Sequence, residues 1–336
     1  MLGGLSLKWN WRKRREAAGA STSSPNLAFG GDVHVVWEKF CRYFDVEPRI
    51  VPLQPGKYTI GPDDVEAHVD ENTIGVAAVL GTTFTGHKDD IVGINDLLLQ
   101  IKRERGLDVP IHVDGASGGF VWPFLYPDSP WDFRLEQVHS INVSGHKFGL
   151  VYPGIGWLIF REKADLAKDL VFEENYLGKT DSTFTLNFST GSAVVLAQYY
   201  NLVRYGRTGY RYIMTNMQTN ARALGEKLAA MDRFELIGAD QEQLPLVAFR
   251  LAADNGYDEF DLAWQLSAER GWMLPAYTLP PDAQSVTIMR ALVKETMSRE
   301  EVERLTRDIA DACATLDQKG GAHERERQQT KVGTGY

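Results

Sequence analysis

Lys147 stands in the run Ser144-Gly145-His146-Lys147-Phe148-Gly149, beside a hydroxyl, an imidazole and two glycines, directly after Ile141-Asn142-Val143. A lysine amine captures carbonyl compounds only where its surroundings desolvate it or lower its pKa, and a turn closing a buried strand can do so. Taken alone the hexapeptide is more often a solvated surface turn. A second run changes the weighting. Ile111-His112-Val113-Asp114 reads as a short apolar strand ending in an acid, and Gly115-Ala116-Ser117-Gly118-Gly119 follows it with small residues. Asp114 then lies at the carboxyl end of a strand, the edge where open α/β sheets bind ligands, with room for a flat ring against the backbone.

A lysine that holds an aldehyde as an imine, and an aspartate that keeps a pyridine nitrogen protonated, are the parts required by pyridoxal 5'-phosphate. Lys147 and Asp114 match the two roles. The competing reading is a metal site built from His112, Asp114 and His146, because His112 and Asp114, two apart, share one strand face. A metal hydrolase needs further ligands, and the seven histidines of the chain form no second cluster. No metal is expected.

Composition narrows the class of protein. The 336 residues are 43% hydrophobic and 24% charged, enough for one large domain and a smaller one. A formal charge of −9 disfavours nucleic-acid or polybasic membrane partners and leaves small metabolites. Cys41 and Cys313 are the two cysteines, far apart and in no ligand spacing, so the expected setting is a reducing cytoplasm. No window supplies the roughly 18 apolar residues of a membrane helix.

The patterns that must position these residues alternate between strand and helix. Residues 46–52 and 74–80 read as buried strands, with Pro62-Asp63-Asp64 opening a helix between them. A helix over 91–105 stopping at Gly106, then strands over 110–114, 138–143 and 156–160, continue the βαβ order of a mixed, mostly parallel sheet. A long helical pattern runs over 189–231, with Gly206 and Gly209 as break points. Strands over 234–237, 246–251 and 285–292 and helices over 259–270 and 298–316 suit a small α+β domain. The expected division is a large cofactor domain over 1–205, the small domain over 206–318, and a disordered polar tail over 319–336.

From about residue 1 to 316 the chain resembles the glutamate decarboxylases, group II pyridoxal phosphate-dependent decarboxylases of aspartate aminotransferase-like fold type I. The resemblance is densest in 112–120, Trp131-Asp132-Phe133-Arg134, 140–149, Thr185-Leu186-Asn187-Phe188-Ser189 and Ile288-Met289-Arg290. It implies decarboxylation of L-glutamate to 4-aminobutanoate and CO₂. It also implies that Ser144 and His146 hold the cofactor phosphate, that Ala116 lies against one ring face and His34 covers the other, and that Thr83 lies near the reactive carbon and substrate. Arg290 is the implied partner of a substrate carboxylate. Phe188 and Ser189 are implied to reach the cofactor of a neighbouring subunit, making at least a homodimer with shared active sites.

Two departures keep alternatives open. His34 occupies a position where glutamate decarboxylases commonly carry glutamine and aromatic amino acid decarboxylases carry histidine, so an aromatic substrate is the alternative within the family. The family's serine-bearing phosphate loop and N-terminal oligomer segment would precede Met1, so an inactive truncated fragment is the other alternative.

Overall fold

The computed structural model describes residues 1–175, 178, 181–189, 191–253 and 255–319. The chain divides into two compact units, one comprising Met1–Leu53, Lys57–Thr83 and Lys88–Gly209, the other Gln54–Gly56, Phe84–His87 and the chain from Tyr210 onward. The polar tail from residue 320 lies outside the described residues.

The first unit contains α1 (Leu2–Ala17), β1 (Asn26–Gly30), α2 (Val36–Tyr43), β2 (Glu47–Val51), α3 (Pro62–Glu66), β3 (Thr73–Val79), α4 (Ile91–Arg105), β4 (Ile111–Asp114), α5 (Trp122–Leu125), β5 (Val138–Ser144) and β6 (Gly156–Phe160). Its sheet has the order β2-β1-β3-β4-β5-β6, all neighbours parallel except the β5–β6 pair. β3 is buried along its whole length, as expected of an unbroken apolar run in a sheet covered on both faces. β7 (Phe172–Glu174) and β8 (Asp181–Thr183) form a separate two-stranded ribbon.

Local signals account for the element ends. Asp90 caps α4 by accepting from the Gly93 amide, and Gly106 ends it at φ 69°, a left-handed conformation that glycine adopts without penalty. The expected strands over 46–52, 74–80, 110–114, 138–143 and 156–160 form with shifts of at most one residue at their ends. β1 and α2 were not expected. β1 has only five residues and runs into Gly30-Gly31. α2 is an eight-residue helix whose amphipathic face, Trp37, Phe40 and Cys41, is buried against Leu27, Phe29 and Ala77 together with Leu5, Leu7 and Trp11 of α1.

α6 (Ala193–Ala229) crosses from the first unit into the second and leaves helical geometry at Gly206 (φ 52°, ψ −164°). The second unit carries an antiparallel sheet, β11-β12-β10-β9, from β9 (Phe234–Leu236), β10 (Leu246–Leu251), β11 (Ala276–Thr278) and β12 (Thr287–Leu292), with α7 (Glu259–Arg270) and α8 (Arg299–Lys319). α8 buries Val302, Leu305, Ile309, Ala312 and Leu316, a helical stripe facing the core. Among the described residues no helix is long and apolar enough to cross a membrane.

Candidate active site

Strand pairing creates a polar row inside the sheet. On β4, His112 and Asp114 share a face, and the register sets His112 opposite Ser140 and Asp114 opposite Asn142 of β5. Asp114 is 7% exposed. Its Oδ2 accepts from the Trp37 indole N–H at 2.8 Å, and its Oδ1 accepts from the Asn142 amide at 3.0 Å and the Ala116 backbone N–H at 3.2 Å. Burial alone would raise the pKa of this carboxyl. The hydrogen bonds from Trp37, Asn142 and Ala116, with the charge that His112 carries only once it is protonated below about pH 4, overcome that effect and hold it below the usual carboxylate range. Asp114 is therefore a buried anion at neutral pH, and all three of these donors are neutral.

His112 bridges the row, its Nδ1 2.7 Å from the Ser140 hydroxyl and its Nε2 2.7 Å from Asn142 Oδ1. Burial pushes its pKa down to about 4, against the Asn142 hydrogen bond and the Asp114 charge, so the ring is neutral. Both nitrogens are engaged, which leaves His112 no lone pair for the metal site considered from sequence. Among the described residues no group of three or more His, Cys, Asp and Glu side chains is placed to hold a metal ion.

Lys147 lies in the turn after β5, half-buried, with Nζ 3.3 Å from Oγ of the buried Ser117. The Ser144 N–H donates to the Ala116 carbonyl at 3.2 Å, tying the lysine turn to the turn after Asp114. α6 supports the lysine turn from behind, as the buried Gln198 donates to the Gly149 carbonyl at 3.0 Å and Asn201 to that of Leu150 at 2.8 Å. Ser144 is half-buried and His146 exposed, and partial burial followed by the Lys147 charge lowers the His146 pKa.

The glycines after Asp114 are required by close approach. A Cβ on Gly118 would overlap the Leu80 carbonyl oxygen, to which the Gly118 amide donates at 3.0 Å. Backbone cannot step aside as a side chain can. Gly118→Ala is expected to cost about 1–3 kcal/mol in chemical denaturation; an unchanged midpoint and slope would refute this packing argument.

His34 lies just before α2, and its Nδ1 accepts from the Val36 amide at 3.1 Å. Partial burial and the Lys147 ammonium lower its pKa, while the Asp114 carboxylate opposes them. His34 thus lies within electrostatic reach of both Lys147 and Asp114. Ala116 is half-buried beside Asp114, and Thr83 is exposed in the loop between β3 and α4. Phe188 is 100% exposed, with Ser189 exposed beside it. Arg290, on β12 of the second unit, stacks its guanidinium 5.8 Å from the Tyr277 ring centre. Trp37, Asn142 and Ser117 were not foreseen as contacts of Asp114 and Lys147. The signal available for Asn142 was the alternation Ser140-x-Asn142-x-Ser144 in an otherwise apolar strand.

Residues 1–252 match the family model of the pyridoxal-dependent decarboxylase conserved domain. The chain belongs to this decarboxylase family. Over 318 residues it is 50% identical to glutamate decarboxylase 1 of Arabidopsis thaliana, covering 95% of this chain and 63% of that one. Over 311 residues it is 42% identical to glutamate decarboxylase of Aliivibrio fischeri, covering 92% and 67%. A solved glutamate decarboxylase of Lactobacillus brevis superposes with TM-score 0.90 at 39% identity, covering 96% of this chain and 73% of that one. The chain spans about 63% of the length of the first curated relatives it matches. Its fold is that of the type I pyridoxal phosphate-dependent decarboxylases.

The cofactor of this decarboxylase family is pyridoxal 5'-phosphate, and the donor set of the site fits it. A buried carboxylate held by neutral groups is stabilised by a cationic partner, which a pyridinium N–H supplies. Lys147 offers the amine, and Ser144 and His146 offer a hydroxyl and an imidazole at the same turn for phosphate.

Proposed function

We propose that this chain is a pyridoxal phosphate-dependent glutamate decarboxylase, converting L-glutamate to 4-aminobutanoate and CO₂. The observation that carries the reading is the buried, ionised Asp114 within electrostatic reach of His34, which also feels Lys147, in a chain half identical to glutamate decarboxylase 1 of Arabidopsis thaliana. When bound, the cofactor supplies a carbonyl for amine exchange and an electron sink for the bond broken at Cα.

The residues divide the remaining work. Lys147 would hold the cofactor through its side-chain amine. Asp114 keeps a proton on the ring nitrogen, because an anion buried among neutral donors is stabilised by that charge. Ser144 and His146 bind phosphate, Ala116 and His34 flank the ring, and Thr83 borders the reacting carbon. Arg290 pairs with a substrate carboxylate, for which a guanidinium is the natural bidentate partner. The CO₂ lost from Cα is replaced by one proton.

The reading extends to a cytoplasmic homo-oligomer with shared sites. Leu196, Tyr199, Tyr200 and Val203 are exposed on one stripe of α6, each more than 60%, which is unusual for a surface that faces only water. The fully exposed Phe188 and its neighbour Ser189 are the residues assigned to a partner's cofactor.

The test is turnover of L-glutamate by the purified chain with added pyridoxal phosphate, with L-tryptophan as comparison because of His34, and with borohydride trapping of cofactor on wild type and Lys147→Ala. Expected are 4-aminobutanoate from wild type and loss of trapping in the variant. Trapping retained by Lys147→Ala would overturn the lysine assignment. Turnover of L-tryptophan in place of L-glutamate would move the substrate to the aromatic class, and trapping without product would leave the chain a cofactor-binding fragment.

A further inference from the structure

The polarity of the buried row can be worked out link by link from Asp114. An ionised carboxylate only accepts, so Asn142 must present its NH₂ to Oδ1 of Asp114. Its carbonyl oxygen then faces His112 Nε2 at 2.7 Å, and two acceptors cannot bond, so Nε2 must carry the proton. Nδ1 of the neutral ring is left as an acceptor, and the Ser140 hydroxyl must donate to it at 2.7 Å. Every donor points toward Asp114. The ring is also sealed in place. The Trp37 indole, another of the donors to Asp114, packs edge-on against it with centres 5.2 Å apart, and Gly3 of α1 approaches so closely that a Cβ there would come within 2.6 Å of His112 Cε1.

We propose that His112 is a positioning residue: held as the neutral Nε2–H tautomer, it orients the Asn142 amide so that Asp114 remains an outward-facing acceptor for the ring nitrogen of the cofactor. Without the His112 donor the Asn142 amide is free to turn and set its oxygen against Asp114, which favours the protonated carboxyl and weakens its hold on a pyridinium. His112 itself need not touch the cofactor. The inference rests on the cofactor reading above and assigns a role to a side chain that a sequence motif would have offered to a metal.

Two measurements test it, neither using substrate. In the chain without cofactor, nitrogen-15 spectra of the imidazoles should show His112 protonated at Nε2 and uncharged through neutral pH; an Nδ1–H ring or an imidazolium would overturn the relay. In the second, the dissociation constant for pyridoxal phosphate is measured for His112→Leu, which has no donor, and for His112→Gln, whose amide nitrogen can replace Nε2. His112→Leu should weaken binding about tenfold or more and His112→Gln by no more than about threefold, on the scale of lost and retained hydrogen bonds within a charged network. Equal losses in both would show that only packing matters and would overturn the proposal, as would unchanged binding in His112→Leu. Should His112→Leu not fold, the spectra of the wild-type chain decide. A wild-type chain that shows the Nε2–H ring yet binds no pyridoxal phosphate would sink the cofactor reading and leave the relay intact.

Discussion

Asp114→Asn is expected to reduce decarboxylation by on the order of 10²–10³-fold, the loss typical of removing one preorganised charge from a reacting site. The substitution barely alters shape, so the effect is electrostatic. An amide cannot stabilise a pyridinium, and its NH₂ has to face either the Trp37 N–H or the Asn142 NH₂, both of which now donate to the carboxylate. One buried donor is left without an acceptor, and folding stability should fall by about 1–3 kcal/mol as well. The check is the initial rate of CO₂ release at saturating pyridoxal phosphate, with a denaturation curve on the same preparation. A variant that keeps wild-type turnover would show that Asp114 is not the partner of the ring nitrogen.

Asp32→Asn is expected to stabilise the protein, and only above mildly acidic pH. Asp32 follows β1 and is 2% exposed, while Asp89, at the start of α4, is 0% exposed. Asp89 accepts from the backbone N–H groups of Ile60 at 2.9 Å and Val79 at 2.6 Å. Burial raises the Asp32 pKa from 3.8 to about 6, against the pull of the Thr82 hydroxyl. Burial and then the Asp32 charge raise that of Asp89. With the folded pKa above the unfolded one, the full stability is present below about pH 4 and is lost as pH rises through about 6. A difference of about two units corresponds to roughly 3 kcal/mol at neutral pH. An asparagine cannot ionise, so the variant should lack this loss. Urea denaturation of both proteins across that range should give a stability difference that grows with pH and then levels off. A difference that does not change with pH would refute the account. The turn that carries His34 begins two residues after Asp32, so the same comparison reports on the ground beneath the site.

Much of the site was legible because its parts are local. Lys147 and Asp114 each end or follow a short apolar strand, and the glycines that crowd the backbone after Asp114 are adjacent in sequence to the residue they serve. The Ile91–Arg105 helix was readable from the helical spacing of its apolar residues and its terminal glycine. β1 and α2 were not, since a five-residue strand and a two-turn helix carry little periodic signal, and their burial comes from contact with α1. His34 shows the consequence. Its role was drawn from resemblance, yet only the fold revealed that its Nδ1 accepts from the Val36 amide at the start of α2.

By itself, the sequence determined the alternation of strand and helix, the position of the acid at a strand end and the lysine turn, because these depend on residue type and spacing within a few residues. Tertiary structure alone decided what surrounds them. The Trp37 indole reaches Asp114 from 77 residues away and Asn142 from 28, and the register of β4 against β5 selects which polar side chains meet. A one-residue slip in that register would turn Ser140 and Asn142 to the opposite face and leave a buried aspartate without the donors that keep it ionised.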